Sequence, residues 1–382
     1  MNRHHPGRRA KNGPARTAAA GVVLALVAAC GGGETVADPA PETAEVDVED
    51  EDASDDGDLD ATDEGEEAAG DAADDTDEPE EPEVPAVDPA SVNADELGQV
   101  PVLMYHQLRE DGGSLYDMSP EEFRADLIEL FDDGYRPVTT AALVTREFDV
   151  PAGTTPVVLT FDDSVRNQAF LDDDGQLHPD SSMGILIDVA ADYDDVEPVA
   201  SLYLITSSLF GGTEDGPDIV RALHEAGMEL GNHTTTHPNL GRLRRTEVQD
   251  ELSTAISMIQ DIVPEAEVST FSLPLGVFPE DRDLATSGSG VAGDYEHDAV
   301  LLVGSNPAPS PWHVNFDPQA LPRILTLRDP DELQGSAWWL EQFEVGQTHQ
   351  RYISDGNPET ISFPADKADQ LDPAFEDRAN PY

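Results

Sequence analysis

A long acidic run near the N-terminus most limits what this chain can fold into. Between Glu34 and Glu96 there are 28 aspartate or glutamate residues, no lysine or arginine, and no aromatic residue. Such a segment cannot bury enough apolar surface to offset its conformational entropy, and its like charges repel one another. We therefore predict a disordered acidic linker over residues 30–97. The remainder is long enough for one folded domain, predicted at residues 98–345 with a C-terminal extension at 346–382.

The overall charge excludes one class of partner and indicates a habitat. The chain carries 80 acidic and 20 basic side chains, for a formal charge of -60. A surface this acidic repels phosphate backbones, so we expect no nucleic-acid partner. Lys11 and Lys367 are the only lysines. Dense carboxylate with little lysine predicts a protein that stays soluble in high salt, where screening weakens self-repulsion.

The N-terminal residues have the pattern of an export signal. Basic residues precede an apolar core from Ala18 to Ala28, which predicts a signal peptide at residues 1–29. The uncharged apolar run from Thr17 to Ala29 has 13 residues, fewer than the roughly 20 that a membrane-spanning helix needs. Cys30 is the only cysteine, and Val27-Ala28-Ala29-Cys30 resembles a bacterial lipobox. We expect lipidation at Cys30 and an extracytoplasmic protein whose only membrane contact is that anchor. An ordinary signal peptide ending near a cysteine is the alternative.

Beyond the acidic run, short apolar segments alternate with helical patterns. Helix starts are predicted at Ser119 and at Thr246, because Ser119-Pro120-Glu121-Glu122 and Thr246-Glu247-Val248-Gln249 both resemble capping boxes. This alternation predicts an α/β fold with a mostly parallel sheet, covered on both faces or closed into a barrel. In either geometry the active site lies at the carboxyl ends of the strands. The predicted strands are Val100–Tyr105, Tyr135–Thr139, Val157–Phe161, Ala200–Thr206, Glu229–Gly231, Val268–Phe271, Ala299–Val303 and Ile324–Leu327.

Two clusters of reactive side chains follow predicted strands. Asp162 and Asp163 come directly after one strand, and His233 and His237 follow another. Two histidines four residues apart can face one point, and a carboxylate is a common third ligand when a catalytic zinc keeps a position open for water. The aspartate that does not bind the metal can then accept a proton from that water. Each cluster alone has an ordinary explanation as a turn or a chance spacing, but both at strand ends favour metal-assisted hydrolysis.

Four stretches of the sequence carry a family resemblance: Pro101-Val102-Leu103-Met104-Tyr105-His106, Leu159-Thr160-Phe161-Asp162-Asp163-Ser164, Glu229-Leu230-Gly231-Asn232-His233-Thr234-Thr235-Thr236-His237 and, more weakly, Phe271-Ser272-Leu273-Pro274-Leu275-Gly276. Through these stretches the chain resembles the polysaccharide deacetylases that contain the NodB homology domain, carbohydrate esterase family 4. The resemblance implies a distorted (β/α) barrel, a divalent metal that is usually zinc, with cobalt or nickel as alternatives, and removal of N-acetyl groups from N-acetylhexosamine polymers such as peptidoglycan or an exopolysaccharide. It also implies that Asp162 is the general base and that Asp163, His233 and His237 are the metal ligands.

Two positions depart from the family pattern in the fourth stretch. Many members have an arginine that orients the base and a tyrosine whose backbone amide helps to hold the oxyanion, where this chain has Ser272 and Leu275. A backbone donor survives at Leu275, so we expect that contact with substrate to be retained. Arg323 is our candidate for the missing guanidinium, and Arg166 is a weaker one.

The general acid and the sugar-binding aromatic residues are less clearly marked. In deacetylases that begin with a Tyr-His stretch the acid comes from the first strand, which favours His106 here over His313. A buried structural histidine is the alternative for His106. Trp312, in a loop beside a strand end, is a candidate for stacking on a sugar ring. The remaining histidines of the domain without a motif, His178, His224 and His297, are expected to face solvent.

These features leave three functions open. The leading one is a membrane-anchored, metal-dependent carbohydrate N-deacetylase. A second keeps the metal but hydrolyses O-acetyl esters or other amides. The third is a catalytically degenerate lipoprotein that binds glycan without turnover, which the altered fourth stretch favours and the retained Asp162 argues against.

Overall fold

The computed structural model describes residues 87–110, 114, 116–304, 306–327, 334–346 and 349–382. The predicted signal peptide, Cys30 and the linker as far as residue 86 lie outside these residues. The helices are α1 Pro89–Val92, α2 Pro120–Asp132, α3 Thr140–Thr145, α4 Ser182–Ala190, α5 Gly216–Glu225, α6 Arg245–Ile262, α7 Asp283–Thr286 and α8 Ser336–Val345. The strands are β1 Val102–Tyr105, β2 Gln107–Leu108, β3 Asp117–Met118, β4 Tyr135–Val138, β5 Thr155–Phe161, β6 Ser201–Leu204, β7 Glu229–Asn232, β8 Thr270–Ser272, β9 Ser287–Gly290, β10 Gly293–Glu296, β11 Ala299–Leu301, β12 Ile324–Leu325, β13 Ile361–Phe363 and β14 Ala379–Pro381.

A curled parallel sheet forms the centre of the domain. Its strands run in the order β11-β8-β7-β6-β5-β1-β12, with β4 also paired to β5. Leu103 of β1 pairs with Leu159 of β5 on one side and with Ile324 of β12 on the other. Leu301 at the end of β11 also forms a parallel bridge with Leu321, just before β12, so the two ends of the strand order are connected. The predicted distorted (β/α) barrel is confirmed, and each of its eight strands matches a predicted strand.

Continuous apolar sequence explains why the central strands are covered on both faces. Every residue of β5 is buried, as expected for a parallel strand with side chains packed on each side. Helix α2 covers part of the sheet with Phe123, Leu127 and Leu130, which are fully buried. The predicted capping box of α2 is present, because Ser119 Oγ accepts from the Glu122 amide at 3.2 Å and Glu122 Oε2 accepts from the Ser119 amide at 2.9 Å.

Helix α6 begins earlier than the sequence prediction. Its N-cap is Arg244 rather than Thr246, because the carboxylate of Glu247 accepts from the backbone amide of Arg244 at 2.8 Å. The same carboxylate pairs with the Arg244 guanidinium at 2.6 Å, which fixes Glu247 at the third helical position. Neither α6 nor any other helix among the described residues combines the length and hydropathy needed to cross a membrane.

The boundary predicted at residue 97 differs from the structure, in which residues 87–97 are folded onto the barrel. Asp88 caps α1, and the side chains of Ala94 and Leu97 are buried. The acidic residues of this segment also have buried partners: the carboxylate of Glu96 accepts from Tyr352 Oη at 2.8 Å and from the Ser362 amide at 2.6 Å. The acidic composition predicted that these residues belong to the linker. Composition does not reveal that hydrogen-bond donors from distant parts of the sequence bind their carboxylates.

The predicted C-terminal extension packs against the end of the barrel where residues 87–97 also lie. Strands β13 and β14 pair in parallel, and the side chains of Tyr352, Ile361 and Phe363 are buried in the hydrophobic cluster that also contains Val100 and Val102. Residues 349–382 therefore contribute to the domain core, and they cover the amino ends of the strands.

Glu96 gives the domain a testable pH dependence. Burial, together with the nearby charge of Asp355, raises the pKa of Glu96 from its ordinary value of 4.5 to about 8. The carboxyl group of Glu96 therefore stays protonated to higher pH in the folded state than in the unfolded state. We expect the free energy of unfolding to fall as pH rises from about 4.5 to 8, by on the order of a few kcal/mol.

Urea unfolding at about pH 5 and about pH 8 measures this change. Glu96→Gln should flatten the dependence, whereas Glu121→Gln on the exposed start of α2 should not. An unchanged pH dependence in Glu96→Gln would contradict the assignment.

Candidate metal centre

The side chains predicted as metal ligands lie together at the carboxyl ends of the strands. Asp163 follows β5, and His233 and His237 follow β7. Asp163 Oδ1 lies 3.4 Å from His233 Nε2 and 3.5 Å from His237 Nε2. Zinc bonds of about 2.1 Å at tetrahedral angles place neighbouring donor atoms about 3.4 Å apart. This is the one such group of three or more donor residues in the described part of the chain.

The orientation of His233 supports metal binding. Its Nδ1 lies 2.8 Å from the backbone oxygen of Ser272. Because a carbonyl oxygen only accepts, Nδ1 donates to it, and Nε2 is the ring nitrogen that faces Asp163. Metal-binding histidines usually donate their second nitrogen in this way, which fixes both the ring and its tautomer. The residues present therefore fit a divalent ion such as zinc.

The backbone at the candidate ligands has unusual dihedral angles. Asp163 has φ 77° and Ser164 has φ 44°, while Thr234 has φ 66° and His237 has φ 56°. Left-handed conformations at residues other than glycine cost of order 1–3 kcal/mol and persist where the surroundings impose them. Strain of this kind clusters at functional sites, and here it accompanies the turn of each ligand side chain towards one point.

Asp162, the predicted base, is held in a buried ion pair by Arg323. Asp162 is 2% exposed and Arg323 is 0% exposed. The guanidinium contacts the carboxylate with both terminal nitrogens, each at 2.7 Å, and Nη2 also donates to Ser272 Oγ at 2.9 Å. The Ser272 hydroxyl in turn lies 3.1 Å from Asp162 Oδ2. The structure thus places Arg323 where the base needs a guanidinium, and its role in orienting the base remains a prediction.

Two opposing effects set the ionisation of Asp162. Burial alone would raise its pKa, but the positive charge of Arg323, with a contribution from His233, lowers the pKa well below its ordinary value of 3.8. The side chain is therefore a carboxylate at neutral pH. A low pKa also makes it a weak base, so its competence as a proton acceptor depends on position more than on basicity.

His106, the predicted general acid, lies beside these carboxylates. It follows β1, and burial lowers its pKa, an effect that Asp162 and Asp163 partly oppose. Its Nδ1 is buried and has no hydrogen-bond partner among the described residues. On its outer side the ring of Tyr116, which is 45% exposed, lies 4.7 Å away between ring centroids. The position suits a proton donor, and that role stays a prediction.

Gln168 connects the predicted acid and base, and no sequence motif marked it. Its Nε2 donates to the backbone oxygen of His106 at 2.7 Å and to that of Asp162 at 2.5 Å. One fully buried amide therefore holds together the carboxyl ends of β1 and β5. The single available signal was its position shortly after Asp162-Asp163.

The prediction that Trp312 stacks on sugar is wrong. Its side chain is 4% exposed and packs against the rings of Phe148 and Phe375. The bridge between Val100 and Ala308 places this proline-rich loop at the amino end of β1, opposite the metal centre. His313 lies in the same loop, where its Nδ1 accepts from the Asn315 amide at 3.0 Å, so the alternative acid is also at the wrong end. The apolar amino end of the barrel needs covering, and Trp312 covers it.

Other predicted residues lie as follows. Leu275 follows β8 at the rim of the site, with φ 59° and a 60% exposed side chain, and its backbone role remains a prediction. Arg166 is exposed and forms no ion pair with any described residue, so it does not hold Asp162. His178 and His224 are partly exposed, but the expectation that His297 faces solvent is wrong, because it is 0% exposed and stacks on Phe271.

The fold and the site together define a distorted (β/α) barrel that has a candidate metal centre at the carboxyl ends of its strands. Residues 149–291 match the polysaccharide deacetylase family model.

Curated relatives match a shorter part of the chain. A chitooligosaccharide deacetylase of Bradyrhizobium sp. (strain ANU 289) is 34% identical over 76 residues, which is 20% of this chain and 35% of the relative. A chitooligosaccharide deacetylase of Sinorhizobium fredii (strain NBRC 101917 / NGR234) is 32% identical over 79 residues, 21% of this chain and 37% of the relative. The chain thus spans about a third of the length of these relatives.

Solved structures resemble the chain at low sequence identity. The Streptococcus pyogenes deacetylase PplD in complex with acetate is 18% identical with a TM-score of 0.47, over 63% of this chain and 97% of that one. The polysaccharide deacetylase BA0330 of Bacillus anthracis, which is described as putative, is 18% identical with a TM-score of 0.46, over 59% of this chain and 64% of that one.

Proposed function

We propose that this protein is a metal-dependent hydrolase that removes N-acetyl groups from an N-acetylhexosamine-containing polysaccharide of the cell wall or extracellular matrix. The observation that carries the proposal is the juxtaposition of a buried, arginine-held carboxylate at Asp162 with the donor set of Asp163, His233 and His237. The family match and the relatives named as chitooligosaccharide deacetylases support the choice of an N-acetylated sugar.

The side chains suggest a division of roles. A divalent ion held by Asp163, His233 and His237 would supply Lewis-acid polarisation of the acetamide carbonyl and lower the pKa of water. Asp162, kept ionised and fixed by Arg323, accepts the proton of the attacking water. His106 donates a proton to the leaving amine. The backbone amide of Leu275 is the candidate donor to the oxygen that becomes negatively charged.

The proposed location rests on sequence alone. A signal peptide over residues 1–29 and lipidation at Cys30 would anchor the protein outside the cytoplasmic membrane, where cell-wall and extracellular glycans are accessible. Zinc is the proposed metal, with cobalt and nickel as alternatives, because the donor set combines two imidazoles with one carboxylate.

The proposed activity is tested by acetate release from the full chain loaded with zinc. Chitooligosaccharides and peptidoglycan serve as N-acetylated substrates, and O-acetylated xylan as the competing ester. Release from either N-acetylated glycan that exceeds release from the ester supports the proposal. Faster release from the ester would favour the esterase alternative, and no release from any of them would favour the glycan-binding alternative.

His233→Ala should abolish tight metal binding. Loss of one of three protein ligands leaves two donors for the ion, so we expect the wild-type chain to bind one zinc ion and the variant to retain none after dialysis. Elemental analysis of the dialysed proteins measures the stoichiometry. His224→Ala, on α5 and outside the site, is the matched control. Equal zinc content in His233→Ala and wild type would exclude this donor set.

A further inference from the structure

A buried histidine outside the metal centre is connected to the turn that carries two of the ligands. His297 lies just before β11 and is 0% exposed. Its Nδ1 lies 2.8 Å from the backbone oxygen of Ala285, and its Nε2 lies 3.2 Å from Nδ2 of Asn232. Asn232 immediately precedes His233. His297 therefore forms a hydrogen bond with the residue that directly precedes the candidate ligand His233.

The partners of His297 fix its protonation. Ala285 offers a carbonyl oxygen, which only accepts, so Nδ1 carries the proton. Asn232 Nδ2 is the donor towards Nε2, because the Asn232 oxygen is occupied by the Thr234 amide at 2.8 Å. Burial lowers the pKa of His297 to about 4, so the ring is neutral near pH 7. A neutral ring with the proton on Nδ1 satisfies every partner.

The hydrogen bonds continue from Asn232 through the ligand turn. Asn232 Oδ1 accepts from the Thr234 amide, and Thr234 Oγ1 accepts from the His237 amide at 2.9 Å. The second hydrogen on Asn232 Nδ2 points to the backbone oxygen of Leu252 at 3.2 Å. An unbroken series of hydrogen bonds therefore runs from His297 to the backbone of His237.

This turn needs external support. Thr234 is β-branched and has φ 66°, and His237 has φ 56°, both in the left-handed region. Such residues keep these angles only where surrounding contacts over-determine them. The side chain of Asn232 contacts the strained residue Thr234 directly, and His297 together with Leu252 holds the amide group of Asn232 in place.

We propose that His297 is a positioning residue for the metal centre: through Asn232 it holds the 232–237 turn in the conformation that directs His233 and His237 to one ion. The inference rests on the metal site of the proposed function but not on the identity of the substrate. His297 would touch neither the ion nor the glycan. Partners of this outer kind typically change metal affinity 10–100-fold when they are removed.

Substitutions in the full chain separate positioning from packing. His297→Phe retains an aromatic ring against Phe271 but loses both hydrogen bonds, and we expect zinc affinity to fall about 10–100-fold. His297→Gln places an acceptor near the position of Nε2, and we expect affinity within about threefold of wild type. His297→Asn reaches Ala285 but not Asn232, and it serves in place of the phenylalanine variant if that chain does not fold. Competition with a chelator measures affinity, on protein shown by thermal unfolding to be folded.

Two further readouts distinguish positioning from general destabilisation. The absorption spectrum of the cobalt-loaded protein should change in His297→Phe and recover in His297→Gln, because the spectrum reports ligand geometry. Hydrogen exchange at the Thr234 and His237 amides of the metal-free protein should be faster in His297→Phe than in wild type. A lower unfolding temperature with wild-type affinity, spectrum and exchange would overturn the proposal.

The exchange measurement also separates this inference from the proposed function. A wild-type chain that binds neither zinc nor cobalt would overturn the proposed metal centre. In that case faster amide exchange in His297→Phe would still support the role of His297 in holding the turn, and unchanged exchange would overturn it.

Discussion

Asp162→Asn should reduce acetate release by about 10²–10⁴-fold, because the amide cannot accept a proton. The variant should still bind zinc, because the donor set of Asp163, His233 and His237 is unaltered. The substitution preserves the size of a side chain that is almost fully buried. Turnover of an N-acetylated oligosaccharide and zinc stoichiometry, measured on the same preparation, test the two parts of the expectation.

An exposed aspartate provides the control for Asp162→Asn. Asp188 pairs with Arg124 at the surface, so Asp188→Asn should leave both turnover and zinc unchanged. Wild-type turnover in Asp162→Asn would show that another group is the base. Loss of zinc from this variant would show that Asp162 contributes to the metal site itself.

Arg323→Met should have the largest effect on stability. It removes one member of a fully buried ion pair and leaves the Asp162 carboxylate without its main counter-charge. Breaking a buried pair in this way typically destabilises a protein by about 3–5 kcal/mol. Urea unfolding of the wild type and the variant measures the loss, and Arg124→Met, which breaks an exposed pair, should cost about 1 kcal/mol or less.

The effect of Arg323→Met should depend on pH, and its sign follows from Asp162. In the wild type the folded-state pKa of Asp162 lies below its ordinary value of 3.8, so its ion pair stabilises the fold above that pH, and this stability is lost as pH falls through the folded pKa. Without Arg323, burial raises the folded pKa above 3.8, and stability is lost as pH rises. The difference in unfolding free energy should therefore widen from about pH 4 to about pH 7.

A double variant distinguishes the lost charge from a packing defect. Asp162→Asn combined with Arg323→Met leaves no buried charge at this position, so it should recover part of the stability lost in Arg323→Met alone. Strict additivity of the two single losses would indicate that the side chains do not act as a pair.

Local sequence patterns predicted a mostly parallel sheet with reactive side chains at its carboxyl edge, and the family resemblance specified the distorted barrel and the candidate metal ligands. Apolar runs such as Val157–Phe161 are long enough to be recognised as buried strands, and β5 contains this run. The rule that active sites lie at the carboxyl ends of parallel strands then brings Asp163, which follows β5, close to His233, which follows β7. Arg323 was predictable as a substitute because a guanidinium was missing at Ser272.

The remaining features depend on contacts between distant parts of the chain. Trp312 looks the same in sequence whether it faces a sugar or fills the amino end of the barrel. In sequence Glu96 is indistinguishable from the acidic linker, because its hydrogen-bond donors, Tyr352 and Ser362, come from the far end of the chain. Gln168 and His297 act through single hydrogen bonds to residues far away in sequence, and no periodicity or spacing records such bonds.

The segment that precedes β1 determines at which end the chain enters the barrel. Val92 packs near Gly153, just before β5, so the chain enters the barrel at the amino ends of the strands. Asp163 and His237 lie at the other pole. The chain therefore enters the domain at the pole opposite the candidate metal centre, and the entering segment 87–97 lies away from the side chains that would meet a substrate.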